Sequence, residues 1–211
     1  MKQIEIKGIK LFIREEQPHY DDSHVVNEVI VENCYRLTPE DVKDKVIVDI
    51  GAYIGDFSLM VWKWGAKRII AYEPEPHNLE LLKMNVALNN ANIEIKPVAV
   101  GKRGYSLMDD GSGHSQIGRG FGNKVRVESI NDLKIDHIDL LKMDCEGGEY
   151  DMIEDAKEET LKKIDKIVGE FHSWRWEKEP ERHQKLIEKL EKFFKLSYWG
   201  FKNSTFRGIK K

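Results

Sequence analysis

Residues 46–55 read VIVDIGAYIG, an apolar run that ends in a turn containing two glycines. The residues that follow, 57–64 (FSLMVWKW), carry apolar side chains at helical spacing. A strand that passes through glycines into a helix is the first unit of a doubly wound α/β sheet, where this turn lies at the ligand-binding edge. The stretch therefore predicts the fold class and the position of the site together.

Short apolar strands continue to alternate with helical segments along the chain. Four further runs have the composition of buried strands: 68–74, 93–100, 138–144 and 166–172. Helical periodicity is clear in two segments: 77–90 and 182–196. This alternation predicts a mostly parallel sheet with helices on both faces, and SYWGFKN followed by STFRGI predicts an antiparallel closing hairpin at its edge.

Two segments depart from this rhythm. Residues 3–14, QIEIKGIKLFIR, alternate apolar and polar side chains and predict a β-hairpin, which a short helix follows. We interpret residues 1–44 as a cover that is too small to fold alone, and residues 45–211 as the main body of the same domain. The glycine-rich residues 111–123 break any helix, so we predict strands and a loop over 101–132.

The composition limits the class of protein. The chain has 211 residues and a formal net charge of -3, with basic and acidic residues interleaved, so a nucleic acid is not expected as a partner. Cys34 and Cys145 lie far apart and form neither a metal motif nor a disulfide framework. No apolar run approaches the roughly 20 residues that span a bilayer. We expect a cytoplasmic protein without a membrane partner, and no feature of the sequence specifies an oligomeric state.

The glycine turn differs from a dinucleotide-binding loop at two residues. Tyr53 stands where such a loop has its second glycine, and its side chain would block a pyrophosphate. Asp49 lies near the end of the strand, where a carboxylate repels phosphate and attracts an ammonium group. With Gly51 and Gly55 supplying the turn, the pattern favours S-adenosylmethionine, which has an ammonium, a carboxylate and a ribose but no phosphate.

The second strand adds an acid to this site. Glu73 closes that strand at the position where a carboxylate accepts hydrogen bonds from ribose hydroxyls. NAD carries the same ribose, so Glu73 indicates an adenosine cofactor without distinguishing NAD from S-adenosylmethionine. The turn residues favour S-adenosylmethionine. Ala52 and Pro74 adjoin these residues and complete the predicted cofactor-binding set on this side of the sheet.

The motifs together resemble a known family. Four segments, VIVDIGAYIG, YEPEPHNLELLKMNVALNN, PVAVG and LLKMDCEGGEY, are similar in content and order to motifs of the FkbM family of S-adenosylmethionine-dependent methyltransferases. The resemblance covers most of the chain. It implies a class I methyltransferase (Rossmann-like) fold with a seven-stranded sheet whose last strand is antiparallel. It also implies methyl transfer to a hydroxyl oxygen of a sugar or other small molecule.

Roles for individual residues follow from the same resemblance. By position, Asp49, Gly51 and Gly55 fall on the methionine-binding loop of the family and Glu73 on its ribose-binding acid. The remaining matches are Ala99 near the adenine, with Asp144 and Glu146 on the acidic motif of the fourth strand. The sequence departs from the family at Tyr53, where asparagine is frequent, and in its glycine-rich segment 111–123.

Methyl transfer to a hydroxyl needs orientation and a base. Glu170 and His172 are two residues apart on the fifth strand and therefore share a face, and Asp144 ends the fourth strand. We predict His172 as the base and Asp144 as the second candidate, with a purely structural His172 as the alternative. With Glu146, these residues could also hold a divalent ion such as Mg²⁺, but carboxylates beside a cationic cofactor need no metal, and we do not favour one.

The substrate side is less defined by sequence. Trp174 and Trp176 could form an aromatic wall or pack in the core. Glu28 and Tyr35, in the N-terminal cover, are placed to close over the cofactor in this architecture. We expect specificity to depend on 101–123 and on the Trp174 region.

Three other functions remain open at this stage. The basic tail favours an RNA (tRNA) methyltransferase, against the slightly acidic charge of the whole chain. An NAD-dependent oxidoreductase is disfavoured by Asp49 and Tyr53. A non-catalytic module that binds an adenosine cofactor would have the same fold, since fold alone does not establish activity.

Overall fold

The structure is a computed structural model, and it describes residues 1–14, 22–108, 123–172, 177–200 and 204–211. Within them the strands are β1 Lys2–Ile6, β2 Ile9–Ile13, β3 Val46–Ile50, β4 Arg68–Tyr72, β5 Glu94–Lys96, β6 Ala99–Val100, β7 Gly104–Met108, β8 Asn123–Glu128, β9 Ile138–Met143, β10 Ile164–Glu170, β11 Phe194–Trp199 and β12 Thr205–Lys210. The helices are α1 Asp22–Val26, α2 Pro39–Val42, α3 Asp56–Lys63, α4 Pro76–Leu88, α5 Gly148–Asp155, α6 Glu158–Leu161 and α7 Pro180–Glu191. A π-helical turn, Asn27–Val31, continues α1, and a 3-10 turn spans Ile130–Asp132.

Seven strands form the central sheet, in the order β11-β12-β10-β9-β3-β4-β5. The pairs from β10 to β5 are parallel, and β12 is antiparallel to both β10 and β11. The predicted mostly parallel, seven-stranded sheet with its antiparallel edge is therefore confirmed. Within this sheet, β3 comes first along the chain, and β4 and β5 are added on one side of it. The chain then crosses to the other side of β3, where it forms β9. The gap between the carboxyl ends of β3 and β9 is the switch point where ligands bind in such sheets.

Both faces of the sheet are covered, as the continuous apolar strands require. On one face, Ile47 and Leu140 pack with residues of the β1-β2 hairpin, α3 and α4. On the other face, Val48 and Leu141 pack with residues of α5, α6 and α7. Successive residues of one strand thus enter different cores, which is the doubly wound arrangement that the sequence predicts.

The N-terminal hairpin lies against α4. Ile9, Leu11 and Ile13 of β2 are buried in the same core as α3 and α4. Asn85 of α4 accepts from the backbone N–H of Phe12 at 2.6 Å and donates to its carbonyl at 3.2 Å, and so pairs with β2 as a neighbouring strand would. The predicted hairpin and helix cover is confirmed, and it is held by specific hydrogen bonds as well as by apolar packing.

Two predicted elements have different boundaries in the structure. The run 93–100 is split into β5 and β6, because Pro97 between them has no N–H to donate to a ladder. The helix predicted over 182–196 is α7, which ends at Glu191, and Phe194 instead begins β11. In both places the apolar pattern was correct and the position of the break was wrong.

The segment that lacks helical rhythm forms a small second sheet. Its strands are arranged in the order β6-β8-β7, with β6 parallel and β7 antiparallel to β8. Most of the glycine-rich run 111–123 lies outside the described residues. None of the helices in the described part of the chain has the length and apolar character needed to cross a membrane.

Gly169 provides a test of how closely β9 and β10 approach. A Cβ atom at this position would lie 2.0 Å from the carbonyl oxygen of Met143, to which Gly169 is opposite in the parallel ladder. We expect Gly169→Ala to lower the free energy of unfolding by about 3 kcal/mol, because backbone in a central ladder cannot move aside. Urea denaturation measures this change.

Gly101→Ala is the matched control for that substitution. A Cβ there would meet Val127 Cγ1 at 3.5 Å, an ordinary contact. If the two variants were equally stable, the close approach of β9 and β10 would be contradicted.

Candidate active site

A cavity of about 560 Å³ opens at the switch point between β3 and β9. Its walls come from the glycine turn after β3, the ends of β4, β9 and β10, strand β6, and the N-terminal cover. The structure brings nine of the predicted site residues to this cavity: Gly51, Tyr53, Glu73, Pro74, Ala99, Asp144, Glu146, Glu170 and His172. Among the described residues, three predicted ones do not line it: Asp49, Ala52 and Gly55. Trp174 and Trp176 lie outside the described residues.

The turn after β3 has no room for side chains at its glycines. Gly51 has a φ of 79°, and a Cβ on it would lie 1.9 Å from the carbonyl oxygen of Asp144. Gly55 has a φ of 93° and precedes α3, where a Cβ would approach Leu82 to 2.7 Å. The bare backbone of Gly51 therefore lines the cavity near the start of a helix, which fits the amino acid end of a cofactor such as S-adenosylmethionine.

Asp49 is fully buried beneath this turn instead of facing the cavity. Its carboxylate accepts a hydrogen bond from Ser58 Oγ at 2.7 Å and forms an ion pair with Lys142 Nζ at 3.1 Å. Lys142 also donates to the carbonyl oxygen of Gly51 at 2.6 Å. Burial alone would lower the pKa of Lys142, but the carboxylates of Asp49, Asp144 and Asp56 outweigh it and raise that pKa. Lys142 is therefore cationic, and its charge is directed at Asp49.

Asp56, the first residue of α3, does face the cavity. Its residue surface is only 3% exposed, and burial raises the pKa of its carboxyl to about 7, with Lys142 lowering it and Asp49 raising it. This carboxylate is thus nearly dehydrated and only partly compensated by Lys142. It is the acid of the turn region that a ligand in the cavity would meet.

Glu73 at the end of β4 is held by backbone. Its Oε2 accepts from the N–H of Tyr53 at 2.8 Å and its Oε1 from the N–H of Glu75 at 2.9 Å. Burial raises the pKa of this carboxyl to about 7, although the two backbone donors act in the opposite direction. Each oxygen accepts one of these bonds and retains a second lone pair, and Glu73 lines the cavity, as predicted for a ribose-binding acid.

Tyr53 connects the turn to the N-terminal cover. Its backbone is left-handed, with a φ of 51°, and its hydroxyl donates a short hydrogen bond to Asp22, which is 1% exposed. Arg14 pairs with the same Asp22 at 2.7 Å and lies 5.2 Å from the centroid of the Tyr53 ring. Tyr53 therefore closes the turn by anchoring β2 and α1 onto it.

Another part of the cavity lining is acidic around one histidine. Nε2 of His172 lies 3.4 Å from Glu146 Oε2 and 3.7 Å from Asp144 Oδ1, and its Nδ1 lies 3.3 Å from Glu149 Oε1. Burial opposes the charged imidazole, but these three carboxylates outweigh it and raise the pKa of His172 well above its ordinary value. His172 is therefore protonated near neutral pH, which makes it a poor proton acceptor.

Asp144 is oriented by the cover. The hydroxyl of Tyr35, which is 2% exposed, donates to Asp144 Oδ2 at 2.6 Å. Glu170 and Glu28 line the cavity near it, and burial followed by repulsion from Asp144 raises the pKa of each carboxyl. Asp144 thus lies at the centre of a group of carboxylates that share one region of the cavity.

The histidine cluster balances its own charge. Asp144, Glu149 and His172 bring possible metal ligands within 4.8 Å of one another, a different set from the one expected, which contained Glu146 and Glu170 in place of Glu149. A metal would need a neutral imidazole nitrogen, whereas His172 is held in its cationic form. The protonated imidazole itself compensates part of the negative charge of these carboxylates.

Comparison with known proteins places this geometry in a family. A model of the methyltransferase FkbM domain matches residues 49–202, which include the glycine turn, β4 and the acidic end of β9. The chain belongs to the FkbM methyltransferase family. It is 26% identical over 215 aligned residues to the methyltransferase sdnD of Sordaria araneosa, with 79% of this chain and 78% of that protein covered.

Solved structures share the fold of this FkbM family member. The methyltransferase FkbM from Methylobacillus flagellatus KT matches with a TM-score of 0.58 and 18% identity over 90% of this chain, which spans 56% of that protein. The tRNA (uracil-54, C5)-methyltransferase of Pyrococcus abyssi, solved with S-adenosyl-L-homocysteine, matches with a TM-score of 0.54 and 14% identity over 99% of this chain and 43% of its own. These similarities establish a common architecture.

Sequence reasoning missed four residues that shape the site of this FkbM protein: Asp22, Asp56, Lys142 and Glu149. Lys142 had a usable signal, because it is the one charged residue between Leu140 and Met143 in a buried strand and such a lysine needs a buried acid. The roles of the other three depend on contacts between distant elements, which no local pattern indicates.

The buried Asp56 predicts a measurable dependence of stability on pH. Its carboxyl has a pKa of about 7 in the folded protein, against 3.8 for an unperturbed group. Between these values the folded state binds more protons, so the contribution of this group to stability falls as pH rises. We expect Asp56→Asn, which cannot ionise, to gain stability relative to the parent protein as pH rises, so that its advantage is larger by about 1–3 kcal/mol at pH 8 than at pH 5. Thermal unfolding at the two pH values tests this.

The control for this prediction is Glu159→Gln, which removes a carboxylate that is 75% exposed. It should change stability little at either pH. An advantage of Asp56→Asn that is no larger at pH 8 than at pH 5 would contradict the assignment of an unfavourably buried charge to Asp56.

Proposed function

We propose that this protein transfers the methyl group of S-adenosylmethionine to a hydroxyl oxygen of a small molecule. The observation that carries the proposal is a single cavity whose lining contains the bare backbone of Gly51, Glu73 and the oriented carboxylate of Asp144. When bound, S-adenosylmethionine supplies an electrophilic methyl group. The residues of the chain then have to bind the two partners, orient them and accept a proton.

The cofactor end is defined by Gly51, Tyr53, Glu73, Pro74 and Ala99. The free lone pairs of Glu73 suit the ribose hydroxyls, and its hydrogen bond from Tyr53 N–H fixes it relative to the turn. Ala99, between Val98 and Val100 in the cavity wall, offers an apolar surface for the adenine. These features support an adenosine cofactor without a pyrophosphate.

At the acceptor end, the carboxylate of Asp144 is the group best suited to accept the proton of a hydroxyl. Tyr35 fixes one of its oxygens, and the other faces the protonated His172. His172, which sequence reasoning ranked first, instead acts electrostatically, because its raised pKa keeps it cationic. Glu170 lines the same region and is the second candidate for the base.

A small acceptor fits this cavity better than RNA does. Acidic side chains outnumber basic ones in its described lining, where Lys142 and His172 are the cationic residues and both are engaged by carboxylates. Such a lining repels phosphate. An RNA (tRNA) methyltransferase is the second candidate, and the observation in its favour is the fold shared with the tRNA methyltransferase of Pyrococcus abyssi.

Binding of the demethylated cofactor tests the first half of the proposal. We expect S-adenosylhomocysteine to bind the purified protein with a Kd in the micromolar range or below, measured by isothermal titration calorimetry. Absence of binding at that level would overturn the proposed cofactor.

The acceptor can be found by incubating a metabolite extract with the protein and S-adenosylmethionine carrying a radiolabelled methyl group. Asp144→Asn should retain S-adenosylhomocysteine binding within a few-fold and lose at least about 100-fold of the rate of labelling, because it removes the proton acceptor. Unchanged labelling by Asp144→Asn would contradict its role. If even the parent protein labels nothing while binding the cofactor, a non-catalytic binding module becomes the better description.

A gel-shift titration with tRNA at increasing salt separates the two acceptor classes. We expect no complex at physiological salt, because the cavity and the chain as a whole are slightly acidic. A complex whose affinity falls steeply with salt would favour the RNA methyltransferase instead.

A further inference from the structure

Asp49, which the sequence analysis assigns to the ammonium group of the cofactor, already forms an ion pair with Lys142. Asp49 is 0% exposed, and its oxygens are directed at Lys142 Nζ and Ser58 Oγ. An ammonium group could reach Asp49 only by displacing Lys142, which would then lose its bond to the carbonyl of Gly51. The charge of Asp49 is therefore not available to a ligand.

Asp56 is also buried but, unlike Asp49, it lines the cavity. Backbone N–H groups at the start of α3 contact its carboxylate, but among the described residues no lysine, arginine or histidine nitrogen lies within 4.0 Å of it. A carboxylate accepts as many as four hydrogen bonds, so Asp56 retains acceptor capacity for a ligand. A nearly dehydrated acid without a close counter-ion favours a cationic group in front of it.

Lys142 lies in the same wall of the cavity. Its ammonium has three donors, of which one forms a hydrogen bond to Gly51 O, while Asp49 Oδ1 lies 3.1 Å away as an ion-pair partner without a hydrogen bond. Lys142 also lines the cavity, so its ammonium retains donor capacity for an acceptor there. Asp56 and Lys142 together therefore present one negative and one positive group next to the glycine turn, which is the complement of a zwitterionic amino acid.

We propose that Asp56 binds the ammonium group and Lys142 the carboxylate of the amino acid end of S-adenosylmethionine, while Asp49 serves as the internal counter-ion of Lys142. This inference rests on the proposed function, because it concerns the cofactor of that reaction. It assigns to Asp56 the direct contact that the strand-end acid Asp49 would otherwise make. Asp49 becomes a positioning residue, which acts through Lys142.

Two ligands that differ only in the amino acid end separate this contact from the rest of the cavity. S-adenosylhomocysteine carries the ammonium and the carboxylate, whereas 5′-methylthioadenosine keeps the adenosine and the sulfur but lacks both. Isothermal titration of the parent protein, Asp56→Asn and the charge control Glu159→Gln with each ligand gives six affinities. We expect Asp56→Asn to weaken S-adenosylhomocysteine by about 10-fold to 100-fold and to change 5′-methylthioadenosine by less than about 3-fold.

A third ligand identifies the group on the cofactor. Deaminated S-adenosylhomocysteine, in which a keto group replaces the amine, keeps the carboxylate. The parent protein should prefer S-adenosylhomocysteine over this analogue, and Asp56→Asn should lose that preference, since substitution and analogue remove the two halves of one interaction. Glu159→Gln should retain it.

Each other outcome has a distinct meaning. Unchanged affinity of Asp56→Asn for S-adenosylhomocysteine, or an equal loss for both adenosine ligands, overturns the assignment of Asp56 while leaving the cofactor intact. A preference for the amine that persists in Asp56→Asn overturns it as well. If the parent protein binds none of the three ligands, the proposed cofactor itself fails, and this assignment fails with it.

Discussion

The buried ion pair between Asp49 and Lys142 is the interaction on which the site depends. It joins the central strand β3 to β9, and Lys142 also holds the carbonyl of Gly51. The carboxyl ends of two adjacent strands and the glycine turn are thereby fixed together where the sheet reverses its direction of growth. Buried ions are stable only when hydrogen bonds offset their dehydration, and Ser58 and the Gly51 carbonyl supply these bonds. The other residues of the cavity are arranged around this neutral pair.

Beyond that pair, the cavity contains more negative than positive charge. Asp56 and Glu73 are buried and have raised pKa values. The pKa values of Glu28 and Glu170 are raised by burial and by the negative charge of Asp144. Such groups destabilise the unliganded fold, and a protein tolerates them where binding needs them. The sulfonium and ammonium of a methyl donor would relieve this repulsion, and the protonated His172 relieves part of it beside Asp144.

Much of this organisation could be predicted from sequence, for specific reasons. VIVDI is apolar at every position except Asp49, so its burial in a parallel sheet followed from composition, and the glycines after it located the switch point. The roles of Asp49 and His172 did not follow, because both depend on partners far away in the chain. Lys142 lies 93 residues after Asp49. The acids that raise the pKa of His172 are on the loop after β9 and on α5. Local pattern indicates where a charged residue lies along the sheet, and only the packed structure shows which opposite charge it meets.

Tyr53 connects the first fourteen residues to the cavity, although they are distant from the glycine turn in sequence. The same residue offers its backbone N–H to Glu73 and its hydroxyl to Asp22, which in turn holds Arg14 at the end of β2. Order in the turn and order in the hairpin are therefore thermodynamically linked, so a ligand that stabilises the turn also stabilises the hairpin by the coupling free energy between them. Amide hydrogens of β2, remote from the cavity floor, would exchange more slowly when the cavity is filled. The hairpin is in this sense a reporter of occupancy as well as a cover.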